Sequence, residues 1–465
     1  MRLSPEEIVA GLGAEVLAEG SAEPPLRATI DSAQTGPGDL FFGLRGSRRD
    51  GAEFAPAALE AGAWGAVVRR TPEATAPSCR FMSQSDEKRQ LGWLLAVDDP
   101  LAAMQSLALA WRRALGARVV GVTGSVGKTS VKDICRALLP GRVHANSENL
   151  NTEIGLPLTV LEAPEDADVL VLEMAMRGRG QIAELAAIAE PEVAVITNVG
   201  PVHVELLGSV EAIAAAKAEI LDRLPAGGTA VAPVEAGELE PHLSGVARQL
   251  RFGPGGDVEA TEVRRAAGAT EAVLATPLGS ATFRFPFAEP HNLTNALAAV
   301  AAGVALGAGP EEMADRAASI GFSRFRGERI ELRDGIVLVN DCYNANPVSM
   351  RAALDYLAAL GAPRTVAVLG EMGELGPNSP GYHRGVGEHA RKAGVDLLIG
   401  VGAPARDYDP DELVADPAEA AELLAARMEP GDAILVKGSR SAGLEAVAES
   451  LAEIEGPPGR GGGAA

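Results

Sequence analysis

One glycine-rich loop, over residues 123–130, constrains this chain more than any other stretch. It follows the apolar run at Val119 and Val120 and opens a segment whose apolar side chains recur at helical spacing. A strand, a glycine loop and a helix in this order form a common binding site for nucleotide phosphates, because backbone N–H groups and the helix N-terminus point at the anion. The loop consists of Thr123, Gly124, Ser125, Val126, Gly127, Lys128, Thr129 and Ser130.

Two side chains of this loop carry the expected chemistry. We expect Lys128 to reach the terminal phosphates of a nucleotide and the Thr129 hydroxyl to hold Mg²⁺. Val122 stands where the common form of the motif has its first glycine. The plain alternative is a glycine-rich turn that only caps a helix, but the T-G-x-x-G-K-T pattern favours a nucleoside triphosphate site.

The composition limits the kind of protein. At about 150 residues a domain, a length of 465 residues suggests roughly three domains. A net charge of −22 argues against a nucleic-acid partner, because binding a phosphate backbone requires a basic face. No signal pattern opens the chain, and its longest small apolar run, 296–309, is too short to span a bilayer. We therefore expect a cytoplasmic enzyme or ATPase, whose three dispersed cysteines indicate neither a disulfide framework nor a zinc site.

Lysine is scarce in this chain. Of 41 basic residues only six are lysine, a bias for which genome composition is a sufficient explanation. Lysine nevertheless differs from arginine in having a compact amine that can lose its proton and be modified. Each retained lysine is therefore a candidate for chemistry. The six are Lys88, Lys128, Lys132, Lys217, Lys392 and Lys437.

Hydrophobic patterns divide the chain into three units and a tail, with predicted boundaries at 1–96, 97–325, 326–455 and 456–465. Buried strands that alternate with helical patterns predict an α/β fold: a small first unit, a central P-loop ATPase-like parallel sheet and a Rossmann-like third unit. The glycine- and proline-rich tail is predicted to be disordered. Predicted elements are helices at 100–115, 210–224 and 348–360, and strands at 169–172, 193–196, 336–339, 365–369, 397–401 and 433–436.

An acidic residue follows the strand predicted at 169–172. Glu173 is expected at the carboxyl end of a parallel strand beside the phosphate loop, where a magnesium-binding carboxylate belongs. A lone acid after a strand would be weak evidence for a metal site. The phosphate loop upstream favours that role.

Lys217 lies on the apolar face of the predicted helix 210–224, four residues after Ile213 and three before Ile220. A charged amine on a buried face is costly unless it is paired or modified. One interpretation is a lysine whose stem packs while its head reaches water. The other is a neutral amine that adds CO₂, becomes an anionic carbamate and binds a second Mg²⁺ together with His203.

Polar residues follow the strand predicted at 336–339. Asn346 and Pro347 are expected to cap and begin the next helix. Arg326, at the junction of the second and third units, is a candidate to reach back to a bound nucleotide, although a lone arginine is commonly a surface residue. Helix capping leaves three polar side chains without a role: Asp341, Tyr343 and Asn344.

Together these motifs resemble the Mur ligase family, in matching order over almost the whole chain. The phosphate loop, the segment NLNTEIGLP at 149–157 and the segment DCYNANPVSM at 341–350 are similar to family motifs. Shorter segments at 291–295, 368–376 and 437–440 support the same resemblance.

The resemblance implies an ATP-dependent ligase of the last cytoplasmic step of peptidoglycan precursor synthesis. Such an enzyme adds D-alanyl-D-alanine to UDP-N-acetylmuramoyl-tripeptide through an acyl phosphate, and we expect a monomer whose first unit binds the UDP end. Lys128, Glu173, His203 and Lys217 take the catalytic roles. Two Mg²⁺ ions are held by Thr129, Glu173, His203 and carbamylated Lys217. Beyond the phosphate loop, ATP is bound by Asn292, Asn295, Arg326 and Asp341, and the substrates by Asp31, Ser32, Asn151, Thr152, Arg177, Tyr343, Asn344 and Asn346.

The chain also departs from the family pattern at the UDP end. Ala33 and Ala52 stand where the family motifs lead us to expect an arginine and a histidine. Two alternatives remain open at this point. One is a folylpolyglutamate-synthase-like ligase, which shares the loop but lacks a UDP-binding first unit. The other is a nucleotide-binding regulatory or scaffold protein without ligase activity, which the joint presence of Glu173, His203 and Lys217 disfavours.

Overall fold

Three sheets flanked by helices form the frame of the molecule. The computed structural model describes residues 1–47, 49–70, 92–147, 149–202, 204–235, 237–266 and 268–455. The predicted tail at 456–465, Lys88 and His203 lie outside the described residues. The predicted α/β fold class is confirmed, because most strands of these sheets are parallel and are joined through helices.

The strands, numbered along the chain, are β1 (Glu15–Ala18), β2 (Arg27–Thr29), β3 (Asp39–Phe42), β4 (Gly65–Arg69), β5 (Trp93–Val97), β6 (Arg118–Thr123), β7 (Val143–Ala145), β8 (Val169–Glu173), β9 (Val193–Ile196), β10 (Thr229–Pro233), β11 (Gln249–Phe252), β12 (Glu259–Ala266), β13 (Ala269–Thr276), β14 (Gly279–Phe285), β15 (Glu328–Glu331), β16 (Val337–Asn340), β17 (Thr365–Leu369), β18 (Leu397–Val401), β19 (Glu412–Val414) and β20 (Ala433–Lys437).

The α-helices of the described residues are Pro5–Leu12, Ala55–Glu60, Pro100–Leu115, Lys128–Leu138, Gly155–Glu162, Gln181–Ala189, Val204–Leu207, Val210–Ala218, Glu240–Leu243, Pro290–Ala305, Pro310–Arg316, Pro347–Ala359, Ser379–Lys392, Pro417–Arg427 and Glu445–Glu455. None of the helices in the described part of the chain combines the length and apolar character needed to cross a bilayer.

The first and last sheets each carry one antiparallel edge strand. The first has five strands in the order β1-β5-β4-β3-β2, with only β1 antiparallel to its neighbour. The last has six strands in the order β15-β16-β20-β17-β18-β19, with only β15 antiparallel. Its central strands β17 and β20 are buried throughout, as expected for strands covered by helices on both faces.

The middle sheet positions the phosphate loop. Its six strands are all parallel, in the order β11-β10-β9-β6-β8-β7. Strand β6 is central and buried over its last five residues, and the chain leaves it directly into the glycine-rich loop. The neighbours β8 and β9 end at the same edge, so that side chains just beyond all three strands converge there.

The helix after the loop, Lys128–Leu138, is named here the phosphate-loop helix. It buries Val131, Ile134 and Leu138 against the middle sheet, which follows from their spacing of three and four residues. The long helix Pro290–Ala305 packs beside it, with small alanine side chains in contact with the same core. These apolar contacts hold the helix N-terminus, and therefore the loop, at the edge of the sheet.

A separate three-stranded antiparallel sheet, formed by β12, β13 and β14, was not expected from the sequence. Strands β13 and β14 alternate buried with more exposed side chains, whereas β12 at the edge is mostly exposed, and the buried set includes Leu274, Phe283 and Phe285. These residues join the core beneath the helix Pro290–Ala305. Alternation of this kind is typical of a sheet with one face on a core and one face in water.

Several predicted elements have the predicted bounds, and one helix is shorter than predicted. The helix at 100–115 and the strands at 193–196, 365–369 and 397–401 are confirmed. The helix predicted at 210–224 is α-helical only over Val210–Ala218 and continues as a 3₁₀ turn over Glu219–Arg223. Pro225 accounts for the end of this 3₁₀ turn, because a proline disfavours helical backbone in the residue before it, and Leu224 is extended.

We predict that the three-stranded sheet contributes to stability through its buried face. Phe283→Ala should lower the free energy of unfolding by about 3–5 kcal/mol, because it leaves a cavity in the core. Thr282→Ala, on the exposed face of the same strand, should change it by about 0.5 kcal/mol or less. Urea denaturation followed by circular dichroism measures both, and equal effects of the two substitutions would contradict the assignment of the faces.

Candidate nucleotide-binding cleft

Two glycines of the phosphate loop have positive φ angles, which are unfavourable for residues with a side chain. Gly124 has φ of +150° and Gly127 has φ of +84°. A Cβ on Gly124 would stand 1.9 Å from the Thr197 hydroxyl oxygen, and one on Gly127 would stand 2.3 Å from the Asn295 side-chain oxygen. The turn of the loop and its close approach to neighbours therefore require glycine at both positions.

The segment that follows β9 holds the loop in place. Asn198 accepts the N–H of Val126 at its side-chain oxygen (2.8 Å) and the N–H of Ser125 at its carbonyl oxygen (3.1 Å). The Thr197 hydroxyl donates to the Val126 carbonyl oxygen at 2.5 Å. The Ser125 hydroxyl in turn accepts the N–H of Gly200 at 2.9 Å. The loop is therefore fixed from outside, which leaves its inner face to bind an anion.

Glu173 lies at the end of β8 and is only 1% exposed. One carboxylate oxygen accepts the Thr129 hydroxyl at 2.8 Å, and the other accepts the Asn151 side-chain N–H at 2.8 Å. A hydroxyl and a carboxylate this close offer the hard oxygen ligands that Mg²⁺ prefers, usually together with water and substrate phosphates. In the described residues no three acidic, histidine or cysteine side chains gather into a metal cluster, so such an ion would depend on the nucleotide for further ligands.

Lys128 lies at the base of the cleft, where its amine donates to the Gly124 carbonyl oxygen at 2.9 Å. Burial is the main cause that lowers the pKa of Lys128 below that of a free lysine. The Glu173 carboxylate raises this pKa and the Arg326 guanidinium lowers it. A phosphate in the loop would add negative charge beside the amine and favour its charged form.

Lys217 is buried, with 2% of its surface exposed. Burial first, and the charge of Lys128 second, hold the pKa of Lys217 well below its ordinary value. Among the residues that the structure describes, no carboxylate forms an ion pair with it. These conditions favour the neutral amine. The predicted partner His203 lies outside the described residues, so the pair remains a prediction.

The opposite wall of the cleft comes from the last sheet. The Arg326 guanidinium lies 4.0 Å from the centre of the Tyr343 ring, a cation–π contact. Asp341, just after β16, forms an ion pair at 2.7 Å with the buried amine of Lys437. The same amine donates to the Asn344 carbonyl oxygen at 2.9 Å, so that it fixes the segment 341–344.

Helix capping explains one predicted substrate residue. The Asn346 side chain accepts the N–H groups of Val348 and Ser349, and the Ser349 hydroxyl accepts the N–H of Asn346. This capping box begins the helix Pro347–Ala359, as predicted. Because its side-chain oxygen is already engaged, Asn346 can offer a ligand its remaining amide N–H groups.

Two of the residues predicted to bind ATP, Asn292 and Asn295, lie near the start of the helix Pro290–Ala305. Asn295 donates to the side-chain oxygen of Asn292 at 3.1 Å, and Asn292 is 4% exposed. His291 precedes them, and burial among protein groups is the main cause that lowers its pKa. This helix therefore brings amide groups to the phosphate loop, with Asn295 beside Gly127.

The two walls enclose one cleft of about 1290 Å³. Arg177 of the middle sheet's unit forms an ion pair across it with Glu374, at 3.6 Å. Lys217, Asp31 and Ser32 are not on the cleft wall, and the Asp31 side chain instead accepts the N–H of Ala33 in an exposed turn. Predicted residues on the wall are Ser125, Val126, Gly127, Lys128, Thr129, Ser130, Asn151, Thr152, Glu173, Arg177, Asn292, Asn295, Arg326, Asp341, Tyr343, Asn344 and Asn346.

Sequence reasoning missed several residues that shape this cleft. Lys132 is 1% exposed and donates to the Asn146 carbonyl oxygen at 2.9 Å. Asn146 accepts the backbone N–H of Glu173 at 2.6 Å and so fixes the predicted metal ligand. The scarcity of lysine was a signal for Lys132 and for Lys437, which line the cleft. Asn146 and Asn198 carried no sequence signal of their own.

Two family models match the chain. The model of the Mur ligase middle domain matches residues 122–303, and that of the Mur ligase glutamate ligase domain matches residues 325–440. Curated relatives named UDP-N-acetylmuramoyl-tripeptide–D-alanyl-D-alanine ligase are similar over most of their length. The protein from Synechocystis is 36% identical and covers 89% of both chains. The one from Bacillus subtilis is 34% identical and covers 95% of this chain and 97% of its own.

Solved structures agree with these matches. MurF from Acinetobacter baumannii superposes with a TM-score of 0.85 at 28% identity, over 97% of this chain and 99% of its own. MurF from Thermotoga maritima in complex with ADP superposes with a TM-score of 0.79 at 30% identity, over 92% and 97%. A folylpolyglutamate synthase from Mycobacterium tuberculosis shares only the fold, at 19% identity over 77% of this chain.

We predict that a methyl group at Gly124 impairs nucleotide binding. Gly124→Ala should weaken ADP binding about tenfold or more, because it forces either the loop or Thr197 to move and strains the backbone. Gly178→Ala is the matched control, since a Cβ there meets nothing within 4 Å. Isothermal titration calorimetry with ADP measures both, and unchanged affinity of Gly124→Ala would show that this backbone does not hold the nucleotide.

Proposed function

Because the chain belongs to the Mur ligase family, we propose that it joins D-alanyl-D-alanine to UDP-N-acetylmuramoyl-tripeptide and converts ATP to ADP and phosphate. The observation that carries the proposal is the shared cleft. In it the phosphate loop of the middle sheet faces the segment 341–346 of the last sheet, so that a nucleotide and an acceptor can meet. The relatives named for a UDP-linked substrate cover 89% and 95% of this chain, which includes most of its first unit, whereas the folylpolyglutamate synthase covers 77%. This difference favours the UDP-linked substrate.

The reaction takes place in two transfers. A carboxylate oxygen of the tripeptide attacks the γ-phosphorus of ATP, the bond to the β,γ-bridging oxygen breaks, and ADP leaves. The amine of D-alanyl-D-alanine then attacks the acyl phosphate, loses a proton and displaces phosphate as the amide forms. Phosphoryl transfer depends mainly on positioning and on neutralising charge, and the residues of the cleft supply both.

The main physical obstacle is the repulsion between two anions. ATP and a carboxylate must approach each other in a protein with a net charge of −22. Lys128 and Arg326 are cations on opposite walls of the cleft, and the Arg326 charge is close enough to lower the pKa of Lys128. The loop N–H groups and the N-terminus of the phosphate-loop helix add partial positive charge.

We assign a first magnesium site to Thr129 and Glu173. Their 2.8 Å hydroxyl–carboxylate contact and the support of Asn146 and Asn151 fit a hard divalent cation beside the phosphates. When bound, Mg²⁺ neutralises phosphate charge and orients the γ-phosphoryl group.

We assign a carbamate to Lys217, and a second magnesium site to this carbamate together with His203. A neutral amine adds CO₂ and releases one proton, giving an anionic carbamate in place of the uncharged amine. The burial of Lys217 and its lowered pKa support this chemistry, since both favour the amine that can react. The carbamate's negative charge would also be attracted to the Lys128 amine, whose charge lowers the pKa of Lys217.

The other proposals concern the whole molecule. We propose functional units at 1–96, 97–325 and 326–455, with Asp31 and Ser32 of the first unit at the UDP end of the substrate. Because alanines stand at positions 33 and 52, where an arginine and a histidine were expected, other residues must bind the UDP end.

We propose a monomer that acts in the cytoplasm, where ATP is available.

We predict that phosphate release requires both substrates, UDP-N-acetylmuramoyl-tripeptide and D-alanyl-D-alanine. Glu173→Gln should lower kcat about a hundredfold or more, because it removes the charge assigned to the metal. Glu162→Gln, an equal charge change at an exposed position, is the control and should turn over normally. A coupled assay for released phosphate measures these effects. Phosphate release at the full rate when either substrate is left out would disprove the proposed reaction.

We predict that Lys217→Ala abolishes turnover and that short carboxylates such as acetate or formate partly restore it, because they replace the carbamate's oxygens. Lys392→Ala, at an exposed lysine, should retain full activity. Steady-state kinetics with and without the carboxylate measures the effect. Wild-type turnover of Lys217→Ala without any supplement would exclude the carbamate.

A further inference from the structure

The linker between the second and third units, residues 320–327, is hydrogen-bonded to the phosphate-loop helix through Ser323. Ser323 donates twice to the same carboxylate oxygen of Asp133, from its backbone N–H and from its hydroxyl, each at 2.8 Å. Asp133 is 1% exposed and lies one helical turn after Thr129. The linker is therefore bound to the same helix that begins the phosphate site.

The Asp133 carboxylate is also part of a buried polar network. Its second oxygen lies 3.0 Å from the amine of Lys132, an ion-pair contact between two almost fully buried side chains, and accepts no hydrogen bond from the described residues. Lys132 donates to Asn146, whose side chain accepts the backbone N–H of Glu173. A buried ion pair contributes little net stability, since desolvation offsets the attraction. The contact between Asp133 and Lys132 instead fixes positions, because it connects the linker to the residues that hold Glu173.

The linker is strained and held on its other side as well. Phe325 has φ of +63°, a left-handed conformation that costs a non-glycine residue about 1–2 kcal/mol. Its carbonyl oxygen accepts the N–H of Tyr343 at 3.2 Å, and this turn directs Arg326 over the Tyr343 ring. The Arg326 Nε is buried without a hydrogen-bond partner in the described part of the chain, and the residue lines the cleft.

We propose that Asp133 is a positioning residue: by binding Ser323 it fixes the strained linker, and thereby sets where Arg326 enters the nucleotide cleft. The inference rests on the proposed function only in taking Arg326 as a group that acts on bound nucleotide. Asp133 itself does not line the cleft, whereas its partners Ser323 and Lys132 do, so its effect on turnover passes through them.

The test is a double-mutant cycle with Ser323→Ala and Arg326→Ala. Ser323→Ala removes one of the two hydrogen bonds and should lower kcat about three- to tenfold, less than the full contribution of a bond to a charged acceptor, because the Ser323 backbone N–H still donates to Asp133. In the Arg326→Ala background the same substitution should cause no further loss, because the group being positioned is gone. Ser319→Ala, whose hydroxyl donates to the nearby Arg316 carbonyl oxygen, is the control.

Two results would overturn the proposal. One is wild-type kcat for Ser323→Ala, and the other is an equal loss in both backgrounds, which is the result of a merely structural role. Asp133→Asn, if folded by circular dichroism, should lower kcat at least as much as Ser323→Ala, because it weakens the bonds from Ser323 and also removes the charge that faces Lys132. If the wild-type chain makes no amide product, the proposed function fails, and the same cycle read from ADP affinity by calorimetry still tests the positioning role.

Discussion

The structure depends on the hydrogen bonds that hold a glycine-rich loop against the end of a neighbouring parallel strand. Thr197 and Asn198 bind the loop backbone, and Gly124 and Gly127 allow the close approach. Because the contacts that shape the loop come from behind it, its inner face remains available to phosphate. Glu173 reaches the same edge on the adjacent strand, so the residues proposed to bind nucleotide and metal converge at one edge of the middle sheet.

Charge is the second constraint, and cations that line the cleft, three of them lysines, counter it locally. An acidic protein that brings together ATP and a carboxylate needs local cations, because long-range attraction is absent. Three of the lysines that the structure describes, namely Lys128, Lys132 and Lys437, line the cleft, and the charge of Lys128 also lowers the pKa of Lys217. Lys128 is placed to contact phosphate, Lys132 supports Asn146, and Lys437 supports Asp341. Lys217 is the residue proposed to carry the carbamate.

Much of the fold and part of the site could be predicted from the sequence alone. Short apolar runs rich in β-branched residues, such as 193–196 and 365–369, were predicted correctly, because a parallel strand buried on both faces carries such side chains throughout. The three-stranded sheet was missed since Phe283 alternates with threonine and arginine, so that its strands lack the continuous apolar run of a strand buried on both faces. The contact between Asp133 and Ser323 spans 190 residues, and no local pattern reports a contact of that range. Sequence motifs thus located the groups expected to touch ligand, whereas the residues that hold those groups emerged only from the structure.

The cleft is proposed to bring the γ-phosphate of ATP to the tripeptide carboxylate, and oxygen-18 placed in that terminal carboxylate tests this most directly. If an acyl phosphate forms and the amine displaces phosphate, the phosphate released must carry one labelled oxygen, and mass spectrometry detects it. Phosphate with no label, released during amide formation, would contradict the account, because the carboxylate would then never have accepted the phosphoryl group.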